Sequence, residues 1–352
     1  MMPRIVSIGT ASPHYIITKQ ESKEFSRRFF QEHFSDIDRL LHIFESAEIE
    51  NRSFVTPLEW FEQPHDWAEK NRLYVQQALE LSVRAIEQCL EKAGVSADTI
   101  DHVVMVSSTG IATPSLDALL FNRLPFRSNL KRTPVWGLGC AGGAAGLAKG
   151  YAFAKAHPTE RVLVCCVELC GLTFIHGDRS KSNLIATSLF ADGAAAVLLY
   201  GDKQKVHDHS PAILSTYSTI WRDTVDVMGW DVREEGLRVV FSKDIPSLVK
   251  DKIKPEMESF LRREGRAHCR IDRIIAHPGG SKVLQAYEQA LQLPPDRLRH
   301  AKEVLRDHGN MSSCTVLFVL EREMREEHQR GEIGLLLALG PGFSCEQVLL
   351  EW

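Results

Sequence analysis

Residues 134–149, PVWGLGCAGGAAGLAK, constrain this chain more than any other stretch. An apolar run enters Gly137-Leu138-Gly139-Cys140, and small residues then continue straight into a helical pattern. A strand-to-helix turn of this kind puts one thiol on the first turn of a helix. Free backbone N–H groups and the positive end of the helix dipole there favour an anion. Such a setting lowers a thiol's pKa and makes it a nucleophile. Two other readings fit the same residues. Cys140 is equally well a small residue packed in a tight turn. Gly137, Gly139 and Gly142 also spell GxGxxG, and Glu168 closes the next apolar run, as in a dinucleotide-binding unit.

The surrounding pattern is α/β. A strand is expected at residues 4–8, helices at 19–34 and 37–46, and a loop at 58–65. A long amphipathic helix at 68–93 carries Leu79, Val83, Ile86 and Leu90 on one face and is closed by Gly94. Buried strands are expected at 101–107 and 161–167, a helix at 115–124, a loop or lid at 174–183, and a turn and strand at 188–200. The charged stretch 201–210 marks a boundary, which divides the chain into halves of 1–205 and 206–352. The second half repeats the plan of the first. After a helix at 248–263, IDRIIAH (271–277) echoes IDHVVM (100–105). A Gly-Asn turn near 307–313 then opens a helix to 327, with a strand at 334–339, as Gly139-Cys140 opens one before 161–167. Two such halves point to a duplicated α/β/α/β/α layered sandwich.

Composition removes several functions. A net charge of −4 gives no electrostatic basis for binding nucleic acid or an anionic membrane. No apolar run is long enough to span a bilayer, and the opening MMPRIVSIGT is no signal peptide, so a cytoplasmic protein is expected. The eight cysteines are scattered with no CxxC pair, which argues against both a zinc site and a disulfide framework. No metal is expected.

Two stretches of the second half bear on Cys140. His277-Pro278-Gly279-Gly280 holds an imidazole where a buried strand ends in a glycine turn, and Asn310 lies in the glycine turn of HGNMSS. Taken singly, His277 reads as a structural histidine and Asn310 as a helix cap. Together with Cys140 they form a chemical set. A cysteine nucleophile needs a base or cationic partner, and His277 can supply it. An imidazole N–H and an amide N–H are two donors that could hold a thioester oxygen as it becomes negative. Such a set suits thioester exchange followed by carbon–carbon bond formation.

GLGCAGG, SLFADGAAA, HPGG, GNMSS and GPGF, in this order from the SIGTASP near the start to Gly340-Pro341-Gly342-Phe343, resemble the type III polyketide synthases. These are the chalcone-synthase-like members of the thiolase superfamily. The resemblance implies a thiolase-like fold and iterative decarboxylative condensation of malonyl-CoA onto an acyl-CoA starter, with no cofactor beyond the coenzyme A thioesters themselves. It implies that Cys140 is the nucleophile, His277 its base partner and Asn310 a second oxyanion donor. Phe190 falls at a gatekeeper position and Val239 where plant members carry a second aromatic. Ser108, Thr173 and Ser312 fall at small polar cavity positions, and Ala186 where plant members have glycine. Arg39 matches one coenzyme A cation. His42 and Ser46 stand where others would be expected, with Arg52 and Lys282 as substitutes beside Gly279 and Gly280 of the HPGG turn. A homodimer is implied, with Thr113 reaching toward the partner's cavity. Val239 and bacterial-like MGWD at 228–231 favour a medium- or long-chain fatty acyl starter and triketide or tetraketide alkylpyrone products. The competing readings are a single-condensation ketoacyl synthase III-type enzyme, a 3-hydroxy-3-methylglutaryl-CoA synthase using Glu168, and a non-catalytic acyl-CoA-binding relative.

Overall fold

The computed structural model describes residues 2–205 and 210–352. The expected division of the chain between 205 and 206 borders the stretch 206–209, and its placing lies outside the described residues. The strands of the first part are β1 (Arg4–Ala11), β2 (Tyr15–Thr18), β3 (Asn51–Phe54), β4 (His102–Val106), β5 (Lys131–Val135), β6 (Arg161–Leu169) and β7 (Asp192–Tyr200). Then come β8 (Ala212–Ile220), β9 (Met228–Arg233), β10 (Gly236–Phe241), β11 (Arg273–Ala276), β12 (Ile333–Gly340) and β13 (Ser344–Glu351).

Nine strands form one mixed sheet in the order β11-β12-β13-β8-β1-β7-β6-β4-β5. It consists of two leaves that meet where Arg4 pairs with Ala212. Each leaf repeats one arrangement. The first strand, β1 or β8, lies antiparallel to the last, β7 or β13. The last lies antiparallel to the penultimate one, β6 or β12, and parallel pairs follow. The repeated strand-turn-helix-strand pattern in the sequence has this shared order as its physical counterpart.

Helix Gly142–Ala156 touches β4 and β6 of one leaf and β12 and β13 of the other. Helix Thr315–Glu323 likewise touches β1 and β7 as well as β11 and β12. These two helices are the inner layer of the thiolase-like α/β/α/β/α sandwich. The first turns of helix Gly142–Ala156 are buried on every side, so an amphipathic stripe is of no use there, and the small residues Gly142-Gly143-Ala144-Ala145-Gly146 meet that condition. Lys149, Ala152, Lys155 and Ala156 further along are exposed. Outside, Trp67–Ala93 covers β1, β6 and β7, and Ile245–Arg263 lies against the second leaf, where Phe260 stacks on Tyr217 at 5.4 Å.

Several local expectations need correction. Helix Trp67–Ala93 is capped by Asp66 and ends at Gly94 with φ +65°, as its sequence implies. Ile86 and Leu90 are buried as expected, but the buried stripe also runs through Tyr74, Ala78, Leu81, Ala85 and Cys89, with Leu79 and Val83 at its margin. Alanine lets the helix come close to β1, so the smaller residues take the centre. The loop expected at 58–65 begins with a 3₁₀ turn, Leu58–Glu62, that buries Phe61. The expected lid at 174–183 already becomes helix at Lys181–Leu189, because the Ser180 hydroxyl accepts the Asn183 N–H. The expected helix at 37–46 is two short ones, Ile37–Leu40 and His42–Ser46.

Candidate active site

β5 leads to Gly137-Leu138, and a 3₁₀ turn, Gly139–Ala141, opens into helix Gly142–Ala156. Gly139 has φ +46°, and a side chain there would run into Pro341 of the β12–β13 turn. Ser108 accepts the N–H groups of Gly137 and Gly139, each at 3.2 Å. A Cβ on Gly143 would stand 2.3 Å from the Ser313 carbonyl oxygen. Cys140 is therefore fixed by elements of both leaves and is buried. The glycines admit protein, not phosphate, which removes the dinucleotide-binding reading. Glu168 is also occupied: its carboxylate accepts Ser108 N–H at 3.0 Å and the Ser313 hydroxyl at 2.6 Å. It is a clamp between the loop after β4, whose Ser108 hydroxyl holds the Cys140 turn, and the turn that precedes helix Thr315–Glu323, and burial pushes its pKa up to about 7.

Asn310 links the Cys140 turn to the turn that follows His277. Its backbone forms a parallel bridge with Phe190: Asn310 N–H donates to Leu189 and Ala191 N–H donates to Asn310, both at 2.9 Å. In the side chain, Oδ1 accepts the Ser312 N–H at 2.8 Å and faces Cys140 Sγ at 3.9 Å. Nδ2 donates to the Gly279 carbonyl at 3.1 Å, which ties it to the HPGG turn. Ser312, at φ +49°, is buried beside it.

His277 follows β11, and its N–H donates to the Leu337 carbonyl at 2.9 Å. The ring lies over its own turn, since a Cβ on Gly279 would be 3.8 Å from Nε2. Among the described residues neither ring nitrogen has a hydrogen-bond partner. Burial pushes the imidazole down to about 3 and, in the same way, the Cys140 thiol up to about 11. The helix terminus alone thus leaves the thiol protonated, contrary to the first expectation. Burial opposes either charge by itself.

Beside Phe190 lies a pocket. Thr173, Ala186, Phe190 and Val239 all line it, as does Cys170. Ser108 and Ser312 do not; they belong to the turns around Cys140. Arg52, Asn183 and Thr187 contribute polar groups to the wall, and much of its apolar part comes from Phe25, Phe54, Phe61 and Phe174, which sequence reasoning did not assign. Their signal is the crowding of phenylalanine over residues 25–61 beyond what helical periodicity requires. Arg238 and Asp178 also line the cavity, 3.6 Å apart.

The expected coenzyme A groups divide. Arg39 is exposed and paired with Asp36, and Lys282 is exposed on the first turn of helix Ser281–Leu291. The Ser281 hydroxyl donates to the Ser46 carbonyl, which brings Gly279, Gly280 and Lys282 to the segment that carries Arg39 and His42. Arg52 does not join them. It is buried, and its Nη1 and Nη2 are used by the Phe190 carbonyl and the Ser22 hydroxyl. Thr113 is exposed and is absent from the cavity of its own chain.

The two family descriptions "Chalcone and stilbene synthases, N-terminal domain" and "C-terminal domain" match residues 2–203 and 212–352. The chain belongs to the chalcone and stilbene synthase family. It is 44% identical to a Bacillus subtilis (strain 168) protein provisionally named a chalcone synthase, over 100% of this chain and 99% of that one. It is 37% identical to the 1,3,6,8-tetrahydroxynaphthalene synthase of Streptomyces peucetius, over 99% and 93%. The crystal structure of 1,3,6,8-tetrahydroxynaphthalene synthase from Streptomyces coelicolor A3(2), a bacterial type III polyketide synthase, superposes with a TM-score of 0.93. There the identity is 27%, with 99% of each chain covered. The protein is a type III polyketide synthase, an acyltransferase that condenses malonyl-CoA by decarboxylation and works on coenzyme A thioesters. This excludes a non-catalytic acyl-CoA-binding protein and the single-condensation and 3-hydroxy-3-methylglutaryl readings. No helix of the described residues is long and apolar enough to cross a membrane.

Proposed function

We propose that Cys140 carries the growing chain, that His277 and Asn310 hold the developing negative charge, and that the starter is a medium- or long-chain fatty acyl-CoA. The observation that carries this reading is Asn310, whose amide contacts the Cys140 thiol on one side and the HPGG turn of His277 on the other. Cys140 gives its proton to His277 and attacks the starter thioester, expelling coenzyme A as the thiol. Malonyl-CoA then loses CO₂, and the electron pair of the broken bond moves onto its thioester oxygen. Asn310 Nδ2 has a second N–H beyond the one given to Gly279, and with the His277 N–H it can stabilise that oxygen. The enolate carbon attacks the Cys140 thioester, the chain passes to coenzyme A, and reloading starts the next round.

The phenylalanine-lined cavity supports a fatty starter. Phe25, Phe54, Phe61 and Phe174 give it a large apolar surface beside the polar Arg52, Asp178, Asn183 and Arg238, and Val239 leaves room where an aromatic ring would fill it. Triketide or tetraketide alkylpyrones are the products this reading implies. A second reading is favoured by the Streptomyces peucetius relative, whose name gives tetrahydroxynaphthalene as product. One assay separates the two. The protein is given labelled malonyl-CoA alone, then with competing long-chain acyl-CoA and p-coumaroyl-CoA, without carrier protein. Alkylpyrones released with CO₂ and preference for the long chain support the proposal; an aromatic product from malonyl-CoA alone, or preference for the aromatic starter, overturns it.

A homodimer is part of the proposal. Ile111, Trp136 and Phe121 are exposed apolar side chains, and a groove of about 840 Å³ runs by Ile111 and Trp136. Thr113 projects from the same loop, where a second copy would cover it. Sedimentation of wild type and Trp136→Glu tests this, with dimer expected for the first and monomer for the second.

A further inference from the structure

We propose that Arg52 is a positioning residue for the condensation site: it braces the Phe190–Asn310 bridge and so sets how the Asn310 amide meets the reacting carbonyl. The inference rests on the role given to Asn310 above.

The brace is two-sided. On one side Nη1 donates to the Phe190 carbonyl at 2.8 Å. On the other, the aliphatic stem lies against Gly309, the residue before Asn310. A Cβ on Gly309 would come within 2.8 Å of Arg52 Cγ, and φ there is +70°. Among the described residues, the bridge itself consists of two backbone bonds, Asn310 to Leu189 and Ala191 to Asn310. A bridge of that size shears easily unless something fixes both of its strands. Arg52 does so with one side chain. Its own position is set by Nη2 donating to Ser22 Oγ at 2.6 Å and by the Phe54 ring, 5.3 Å from the guanidinium.

This placement is costly, which argues for a purpose other than filling space. Burial pushes the guanidinium down to about 10, still charged at neutral pH, with Asp192 as the nearby carboxylate. The Asp192 oxygens are themselves occupied by Val55 N–H at 2.9 Å and Gly171 N–H at 2.7 Å. An apolar residue of similar volume would fill the same space without a buried charge. Lysine would keep the charge but lacks the planar fork that reaches two acceptors at once.

The test compares wild type, Arg52→Met, Arg52→Lys and Asn310→Ala in malonyl-CoA decarboxylation. Rates are taken per active site, counted by a single-turnover acyl burst, and thermal unfolding is recorded beside them. That normalisation removes any loss that comes merely from unfolded protein. For Arg52→Met the expected result is a fall in kcat of about tenfold or more with KM for malonyl-CoA changed by less than about threefold, and only partial recovery in Arg52→Lys. If Arg52→Met does not fold, Arg52→Lys decides, with a fall of about threefold or more expected. A kcat per active site within about twofold of wild type in the folded variant overturns the inference. Wild type that does not decarboxylate malonyl-CoA, or Asn310→Ala that matches wild type, overturns instead the role of Asn310 on which it rests.

Discussion

Asn310 presents Oδ1 to the Cys140 thiol at 3.9 Å while its Nδ2 is bonded to the Gly279 carbonyl. A turn before one inner helix thus touches a turn before the other, and the HPGG turn is fastened to the Asn310 side. At 3.9 Å the thiol contact is long and weak, so Cys140 is located mainly by its backbone. Asn310 is the better fixed of the two. Its backbone is held in the bridge to Phe190, and its side chain has partners at both ends.

Asn310→Ala removes the amide and leaves the backbone bridge in place. Decarboxylation and chain extension should both fall on the order of one hundredfold, equivalent to about 2.7 kcal/mol of lost transition-state stabilisation. Steady-state kcat/KM with malonyl-CoA measures this. A change of less than about threefold would remove Asn310 from the chemistry.

His277→Ala removes the only group assigned to receive the thiol proton. The thiol must then ionise alone against burial that pushes it up to about 11. On the proposed pairing, the imidazolium formed with the thiolate in the wild type lowers that cost, and thiolate forms at lower pH. The pH midpoint of iodoacetamide inactivation should therefore move upward by about two units or more in the variant. Superimposable profiles would show that the two groups ionise independently.

Glu168 gives a pH dependence of stability. Its folded pKa is raised by burial to about 7, above its usual value of 4.5. The folded state therefore binds this proton more tightly than the unfolded state does. The resulting contribution is fully present below pH 4.5 and is lost as pH rises through about 7. Glu168→Gln, which cannot ionise, should show a smaller fall in Tm than wild type between pH 5.5 and about 8. Ser313→Ala, which takes away the 2.6 Å hydroxyl donor, should cost about 1–3 kcal/mol at neutral pH. Parallel Tm curves for wild type and Glu168→Gln would contradict the assignment.

How far the sequence could be read depended on how local each feature is. The turn at Cys140, the strand tip at His277 and the glycine turn at Asn310 are written in consecutive residues, and each lies where its motif implies. The leaf order follows from a pattern repeated along the chain. What could not be read was contact between segments remote in sequence. Arg52 looks like a surface cation until the Phe190 carbonyl, 138 positions away, is found against it. The phenylalanine cavity is assembled from helix Lys19–Phe30, β2, β3, the 3₁₀ turn Leu58–Glu62, the segment around Phe174, helix Lys181–Leu189 and β10, which are scattered along the chain. The pKa of Cys140 was misjudged for the same reason. A helix terminus is visible in the sequence, but the burial that outweighs it comes from both leaves.

The central claim is that Cys140 bears the acyl chain, and one measurement addresses it directly. The protein is incubated with a long-chain acyl-CoA in the absence of malonyl-CoA, quenched in acid, and examined by intact-mass and peptide mass spectrometry. The account predicts one acyl group per chain, on the peptide containing Cys140, and no adduct in Cys140→Ala, which should still decarboxylate malonyl-CoA. Acylation of another cysteine, or normal polyketide output from Cys140→Ala, would contradict it.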